Sequence, residues 1–333
     1  MRISVIGAGS FGTAMATVAA SCGNEVMVWA HDHKVAFAMR ELRRNPTYLP
    51  DIALPDRVQA TNDLAEAAAF SDTIFMIVPS HHYRRVLSQL DHHLSRPVRV
   101  ISGTKGIEID TLERMSTVTS WVLREKLDAF ATLSGPTFAV EVARGDPTAA
   151  VVASARVDFA EEVQRILSSG SFRLYNSPDV AGVELAGSLK NVIAIAAGVL
   201  EGLGLGSNTN AALVTRGLHE ISKLALPLGG RPETFAGLAG MGDLVLTCTG
   251  ARSRNRSLGV ALGLGRKLTE ILAESKFVAE GVKTAKAARD LATRHGIEMP
   301  ITTEMYRVLY EDASPREAIQ RLMTRALKSE AAR

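Results

Sequence analysis

Up to about residue 180, apolar residues fall in short runs separated by stretches of helical spacing and by loops rich in glycine, proline and small polar residues. Beyond that point only the helical spacing continues, so we place a domain boundary there, between residues 1–180 and 181–333. The runs predict strands over 2–6, 25–30, 57–60, 72–78, 98–102, 130–133, 148–154 and 172–175. Helices are predicted over 13–22, over 62–70 with Asn62 as N-cap, and over 80–94, 111–126 and 158–168. The run 73–78 is apolar without alternation, as in a strand covered on both faces of a parallel sheet. Strand and helix alternating in this way make a βαβ series, with helices on both faces of the sheet.

The second half predicts helices over 182–203, 208–226, 279–295, 300–310 and 314–327, with a break at Pro227, Gly229, Gly230 and Pro232. Ser314-Pro-Arg-Glu317 has the sequence of a capping box with proline at the first helical position. The segment 237–250 carries too many glycines for a stable free helix.

The helix 182–203 contains the first chemical anomaly. Lys190 and Asn191 stand among Leu185, Ala186, Leu189, Val192, Ile193 and Ile195, so the helix is apolar on nearly every side. Such a helix is normally buried, and a desolvated lysine is a candidate general acid or base. The plainer alternative is a lysine that snorkels its charge to a surface. Glu184, Lys190 and Glu201 interrupt the apolar stretch and argue against a membrane span.

At the other end of the chain, Gly7-Ala-Gly9-Ser10-Phe11-Gly12 lies directly between a predicted strand and a small-residue helix. In that setting G-x-G-x-x-G is the dinucleotide fingerprint. Gly7 permits the tight turn, Gly9 lets backbone approach a pyrophosphate, and Gly12 allows helix and strand to pack closely. The first half is therefore expected to be a Rossmann-type doubly wound α/β sheet that binds a dinucleotide, followed by an all-helical C-terminal domain for substrate and catalysis. At the end of the second strand, Asp32 and His31 both stand where the adenosine ribose is read, which leaves NAD and NADP open.

Further candidates lie at later strand ends and in the second half. Lys105 follows a strand in Ser-Gly-Thr-Lys-Gly, and Gly135 and Thr137 in Ser-Gly-Pro-Thr-Phe-Ala139 offer backbone and hydroxyl groups. Asp243 is a single carboxylate in an apolar setting, able to pair with Lys190 or to cap a helix. Arg252, Arg254 and Arg256 put three guanidiniums in five residues, a clamp suited to phosphate or carboxylate. The segment lacks the interleaved aromatics that would stack bases.

Composition narrows the classes. With 46% hydrophobic and 22% charged residues the chain is globular, and a net charge of +3 gives no bulk support for nucleic-acid binding. Cys22 and Cys248 are neither metal-spaced nor a disulfide framework, and the sequence opens without a secretory pattern, so a cytoplasmic protein is expected.

Taken together, GAGSFGTA at 7–14, VPSH at 78–81, TKGIE at 104–108, SGPTFA at 134–139, LAGSLKNV at 185–192, GMGDLVLTCT at 240–249 and RSRN at 252–255 resemble the NAD(P)-dependent glycerol-3-phosphate dehydrogenases, the bacterial form in particular. The resemblance implies interconversion of dihydroxyacetone phosphate and sn-glycerol 3-phosphate, a small phosphorylated substrate that feeds phospholipid synthesis. It implies NAD or NADP as cofactor, no metal, and a homodimer. Lys190 takes the family's proton donor and acceptor position. Lys105, Asp243, Ser253, Arg254 and Asn255 match substrate-binding positions, with Gly135, Thr137, Asn191 and Thr247 close by. Ser10, Phe11, His31, Lys105, Ala139, Arg254, Val278 and Glu280 match cofactor contacts. Phe11 stands where some relatives have tyrosine, and His31 where arginine is frequent. The rival readings are a β-hydroxyacid-type dehydrogenase acting on a carboxylate, and a cofactor-binding sensor that has lost turnover.

Overall fold

A computed structural model describes residues 1–274, 280–327, 329 and 330. The first part of the chain runs β1 (Arg2–Ile6), α1 (Ser10–Ser21), β2 (Glu25–Trp29), α2 (His33–Glu41), β3 (Arg44–Asn45), β4 (Leu49–Ala53), β5 (Val58–Thr61), α3 (Leu64–Phe70), β6 (Thr73–Met76) and α4 (Ser80–Asp91). It continues through β7 (Val98–Ser102), α5 (Met115–Leu123), β8 (Leu127–Ser134), α6 (Ala139–Arg144), β9 (Thr148–Ala153), α7 (Val157–Leu167) and β10 (Phe172–Ser177). From there the described residues are helical: α8 (Val180–Gly202), α9 (Ser207–Ala225), α10 (Pro232–Ala236), α11 (Asp243–Thr249), α12 (Arg254–Gly263), α13 (Leu268–Glu274), α14 (Glu280–Arg294), α15 (Pro300–Tyr310) and α16 (Pro315–Met323).

Eight strands form one sheet in the order β10-β9-β8-β7-β6-β1-β2-β5, parallel throughout except for the antiparallel β8/β9 pair. β1 pairs β2 on one side and β6 on the other, so the strand order reverses beside β1 and opens a crevice at its carboxyl end. Side chains alternate across β1. Ile3 and Val5 pack with Met15 and Ala19 of α1 and Phe159 of α7. Ile6 packs on the opposite side with Tyr83 and Leu87 of α4 and Val118 of α5. Both faces are covered, which is why these strands read as continuous apolar runs.

The chain forms two compact units, Met1–Ser188 with Ala225–Asp243, and Leu189–Leu224 with Leu244–Arg333. The division thus follows a different course from the single expected cut near residue 180: it falls inside α8, and the segment 225–243 joins the sheet-bearing unit. In that unit Glu184 on α8 accepts from Ser116 N at 2.8 Å and Arg114 Nη1 at 2.9 Å, tying α8 to the start of α5. Burial pushes the Glu184 carboxyl above its ordinary range, against the pull of Arg114 and Ser116. In the helical unit Glu220 on α9 accepts from the backbone of Ile301 at 2.6 Å and Thr302 at 3.2 Å, capping α15 across 81 and 82 positions of sequence. Its carboxyl is pushed up to about 7, because desolvation outweighs those hydrogen bonds.

Several local expectations give way. Asp63, not Asn62, caps α3, accepting from Ala65 N at 2.8 Å. The helix expected over 111–126 begins only at Met115, because 107–114 folds back through an Ile107/Arg114 bridge and Leu112 takes a left-handed φ of 64°. The loop around Pro50 contains the β3/β4 hairpin, and α2, α6, α12 and α13 were not anticipated. The glycine-rich segment is helical: Leu238–Gly242 makes a wide turn in which Gly242 N donates to Gly237 O at 3.1 Å, and α11 follows. A Cβ on Gly240 would stand 2.4 Å from Phe235 Cα, so the glycine that weakens the isolated helix lets this one pack. Ser314 is the N-cap residue of α16, but its side chain makes no capping hydrogen bond.

Candidate functional site

In the sheet-bearing unit the turn after β1 is built by steric exclusion. Gly7 has φ +122°, and a Cβ there would lie 2.2 Å from Ile77 O; a Cβ on Gly12 would lie 1.9 Å from Gly7 O. Gly9 differs, for a Cβ there meets nothing within 4 Å and its φ of −68° suits any residue. Among the described residues nothing requires glycine at 9. A ligand backbone that must come close to the chain does require it, and α1 begins at the next residue with its free N–H groups. This donor set fits a dinucleotide pyrophosphate. Ser10 Oγ donates to Tyr48 O at 3.0 Å, and Phe11 lies over Gly103 just past the end of β7, where a Cβ would stand 3.1 Å from its ring.

At the end of β2, His31 is exposed beside Trp29, with ring centroids 5.9 Å apart. Asp32 is the N-cap of α2 and accepts from Lys34 N at 2.8 Å. Its carboxylate is thus engaged in closing a helix that the sequence reading did not anticipate.

Lys105 leaves the turn after β7 and reaches Asp243. Its Nζ is 2.8 Å from Asp243 Oδ2 and 3.2 Å from Gly135 O, and it lies 5.9 Å from the centre of the Phe11 ring. Asp243 is 0% exposed, and Ser134 Oγ donates to the same carboxylate oxygen at 3.4 Å. Gly135 has φ +143° and no room for a side chain against Ala150; its carbonyl also accepts from Thr137 Oγ1 at 3.1 Å. The turn at 134–137 therefore fixes the ammonium of Lys105, and Ala139 starts α6 just beyond it. Ser134 is a participant that we did not single out from sequence. Gly187, in the middle of α8, offered the clue: a Cβ there would come within 2.6 Å of Ser134 Oγ.

In the helical unit Lys190 is 6% exposed, and its Nζ donates to Thr247 Oγ1 at 2.8 Å. This excludes the snorkelling alternative. Asn191, the next residue, accepts on Oδ1 from Asn255 Nδ2 at 3.0 Å, and Asn255 Oδ1 accepts from Gly281 N at 3.0 Å. One amide thereby brackets α8, α12 and α14. Ser253 is the N-cap of α12, accepting from Arg256 N at 3.2 Å, and Arg254 is the first residue of the helix, with its side chain exposed. Arg256 pairs with Glu201, so the three arginines of the segment do not share one role. Glu280 opens α14, while Val278 lies outside the described residues.

α8 and α12 cross at glycines. A Cβ on Gly198 would lie 1.9 Å from Arg256 O, and one on Gly259 2.0 Å from Ile195 O. Only backbones without side chains approach so closely, and that approach brings Asn255 to Asn191. α8 has the length and hydropathy of a membrane span, yet its apolar window is wholly buried within the protein.

Two family models match the chain. One, described as NAD-dependent glycerol-3-phosphate dehydrogenase N-terminus, covers residues 2–160; the other, the C-terminus of the same family, covers residues 179–320. The chain is 52% identical over 330 residues to glycerol-3-phosphate dehydrogenase (NAD(P)+) of Geobacter sulfurreducens, covering 99% of this chain and 98% of the relative. It is 50% identical to the enzyme of the same name from Citrifermentans bemidjiense, with the same coverage. Among solved structures it is similar to glycerol-3-phosphate dehydrogenase from Coxiella burnetii, with a TM-score of 0.94 and 39% identity, covering 97% of this chain and 99% of that one.

Proposed function

This chain belongs to the NAD-dependent glycerol-3-phosphate dehydrogenase family, and from that premise we propose that it interconverts dihydroxyacetone phosphate and sn-glycerol 3-phosphate with Lys190 as the proton donor and acceptor. The NAD(P) cofactor, when bound, supplies the hydride for reduction and takes it up in oxidation. The observation that carries the assignment of Lys190 is its buried ammonium, oriented by Thr247 at 2.8 Å. During reduction Lys190 Nζ gives a proton to the substrate oxygen; during oxidation it takes that proton back.

Gly7, Gly9, Gly12 and the start of α1 hold the pyrophosphate, with Ser10, Phe11, His31, Ala139, Val278 and Glu280 as further cofactor contacts. Lys105, held by Asp243 and by the Gly135 carbonyl to which Thr137 also donates, serves substrate and cofactor. Arg254, at the N-terminus of α12, binds the phosphate, where the guanidinium and the helix dipole act in the same sense. Ser253 and Asn255 support that clamp by fixing the turn on which Arg254 stands, and Asn191 is oriented through Asn255. The reading extends to a cytoplasmic homodimer that supplies glycerol 3-phosphate for phospholipid synthesis, an extension supported by the family resemblance.

The test is oxidation of NADH and, in parallel, NADPH by the purified protein with dihydroxyacetone phosphate. Lys190→Ala is expected to lose roughly 10² to 10⁴ in kcat while retaining cofactor affinity. A variant with near-normal kcat would end the proton-donor assignment.

A further inference from the structure

Glu108 closes the TKGIE stretch that begins with Thr104 and Lys105, and none of the roles above uses it. Its polar groups are nevertheless all engaged. The carboxylate takes a bidentate pair from Arg84 on α4, Nε to Oε1 at 2.7 Å and Nη2 to Oε2 at 2.6 Å, and Thr111 Oγ1 donates to Oε2 at 2.6 Å. Its backbone N–H donates to Glu113 O and its carbonyl accepts from Leu112 N, each at 2.9 Å. Leu112 is thereby held in the left-handed region at φ 64°, a conformation that persists only where the surroundings over-determine it. The Glu108 side chain is 12% exposed, and Arg84 keeps its carboxyl below the ordinary range, so the pair is ionic near neutral pH. Fork geometry and burial set it apart from an ordinary surface ion pair.

The same stretch is fixed at its other end and in its middle. Thr104 Oγ1 donates to Val78 O at 2.7 Å, and a Cβ on Gly106 would stand 2.4 Å from Ser80 Cβ. Residues 104–108 therefore run against 78–84, touching at Val78, Ser80 and Arg84. Lys105 lies between these contacts, and its ammonium has to meet Asp243 at 2.8 Å and Gly135 O at 3.2 Å. A lysine stem is flexible, so the ammonium is placed only if the backbone beneath it is. We propose that Arg84 and Glu108 are a positioning pair for Lys105, holding the backbone that carries it against the start of α4 so that its ammonium stays aimed at Asp243. The proposal rests on the reading of Lys105 as a substrate and cofactor contact. The pair acts through that lysine and makes no contact with substrate itself.

The experiment is a kinetic double-mutant cycle between Glu108→Gln and Lys105→Met in the full-length protein, read as kcat/KM for dihydroxyacetone phosphate with NADH and as the NADH dissociation constant, with Tm alongside. Glu108→Gln keeps the size of the side chain and removes its charge. Because misplacement by about 1 Å can cost roughly 10²-fold, this variant is expected to lose about tenfold or more in kcat/KM when Lys105 is present, and less than about twofold in the Lys105→Met background. Arg84→Met should repeat both results, and Arg84→Lys, which keeps the charge and loses the fork, should fall between it and the parent. Should Lys105→Met fail to fold, Lys105→Met with Asp243→Asn removes both charges and takes its place as the background. A brace that serves stability alone would lower Tm and cost the same factor with Lys105 or without it, and that result overturns the proposal. So does a Glu108→Gln protein whose kcat/KM stays within about twofold of the parent. Lys105→Met with the parent kcat/KM and NADH affinity would overturn the reading of Lys105 itself, and the proposal with it.

Discussion

Neutralising Asp243 isolates the ion pair on which the geometry of Lys105 depends. The two charges are 2.8 Å apart, with side-chain exposures of 14% for Lys105 and 1% for Asp243. At that distance an effective dielectric of 20 gives an attraction of about 6 kcal/mol, much of it offset by desolvation of both groups. Removing one partner is costlier than the net value of the pair, at about 3–5 kcal/mol, because the other charge stays buried. Asp243→Asn should sit at or below the low end of that range, since the ammonium retains Gly135 O at 3.2 Å and some access to solvent. Lys105→Met should sit higher, for it leaves a carboxylate with no exposure. The double variant removes both charges and should cost less than the sum, giving a coupling energy of about 2 kcal/mol or more. Urea unfolding of the four proteins, followed by tryptophan fluorescence, measures it. Both tryptophans, Trp29 and Trp121, lie in the sheet-bearing unit together with the pair, so the signal reports the relevant structure. Additive single-variant costs, within about 0.5 kcal/mol, would refute the reasoning.

Gly9→Ala should leave stability within about 0.5 kcal/mol, because its Cβ meets nothing, yet raise the KM for the dinucleotide. Gly12→Ala should destabilise the fold outright, and an unchanged KM in Gly9→Ala would remove that residue from the pyrophosphate site. Thr247→Val takes away the acceptor of a charged hydrogen bond worth about 1.5–3 kcal/mol, so kcat should fall about tenfold or more at unchanged cofactor affinity. A kcat equal to that of the parent protein would show that Lys190 needs no such support. For Glu220, a folded-state pKa pushed up to about 7 against an ordinary 4.5 means that the folded chain binds the proton more readily than the unfolded one between those values. Stability of the helical unit should therefore fall by about 3 kcal/mol as pH rises from 4.5 to 7, and level off above. Chemical denaturation across that range should show the slope in the parent and a flatter profile in Glu220→Gln; equal slopes would sink the assignment.

Much of the architecture was legible because its causes are local. The apolar runs of β1 and β6 reflect cover on both faces, Gly7 and Gly12 announce a turn that no side chain fits, and an all-apolar helix around Lys190 demands burial. What misled was also local: glycines at 237–242 argue against a free helix, but packing against Phe235 reverses their cost. Asp32, near the place where a ribose-reading acid is expected, caps a helix whose periodicity was too short to notice.

A dinucleotide-binding sheet followed by helices, and Lys190, Lys105, Asp243 and Arg254 as candidate site residues, can be read along the chain alone. Periodicity, backbone sterics and the cost of burying charge act over a few residues and can be read from them. Tertiary structure decided the partners. Asp243 answers Lys105 across 138 positions, Thr247 answers Lys190 across 57, and Asn255 answers Asn191 across 64. No local pattern encodes such pairings, because each exists only once helices and strands have packed closely enough for two buried polar groups to satisfy one another.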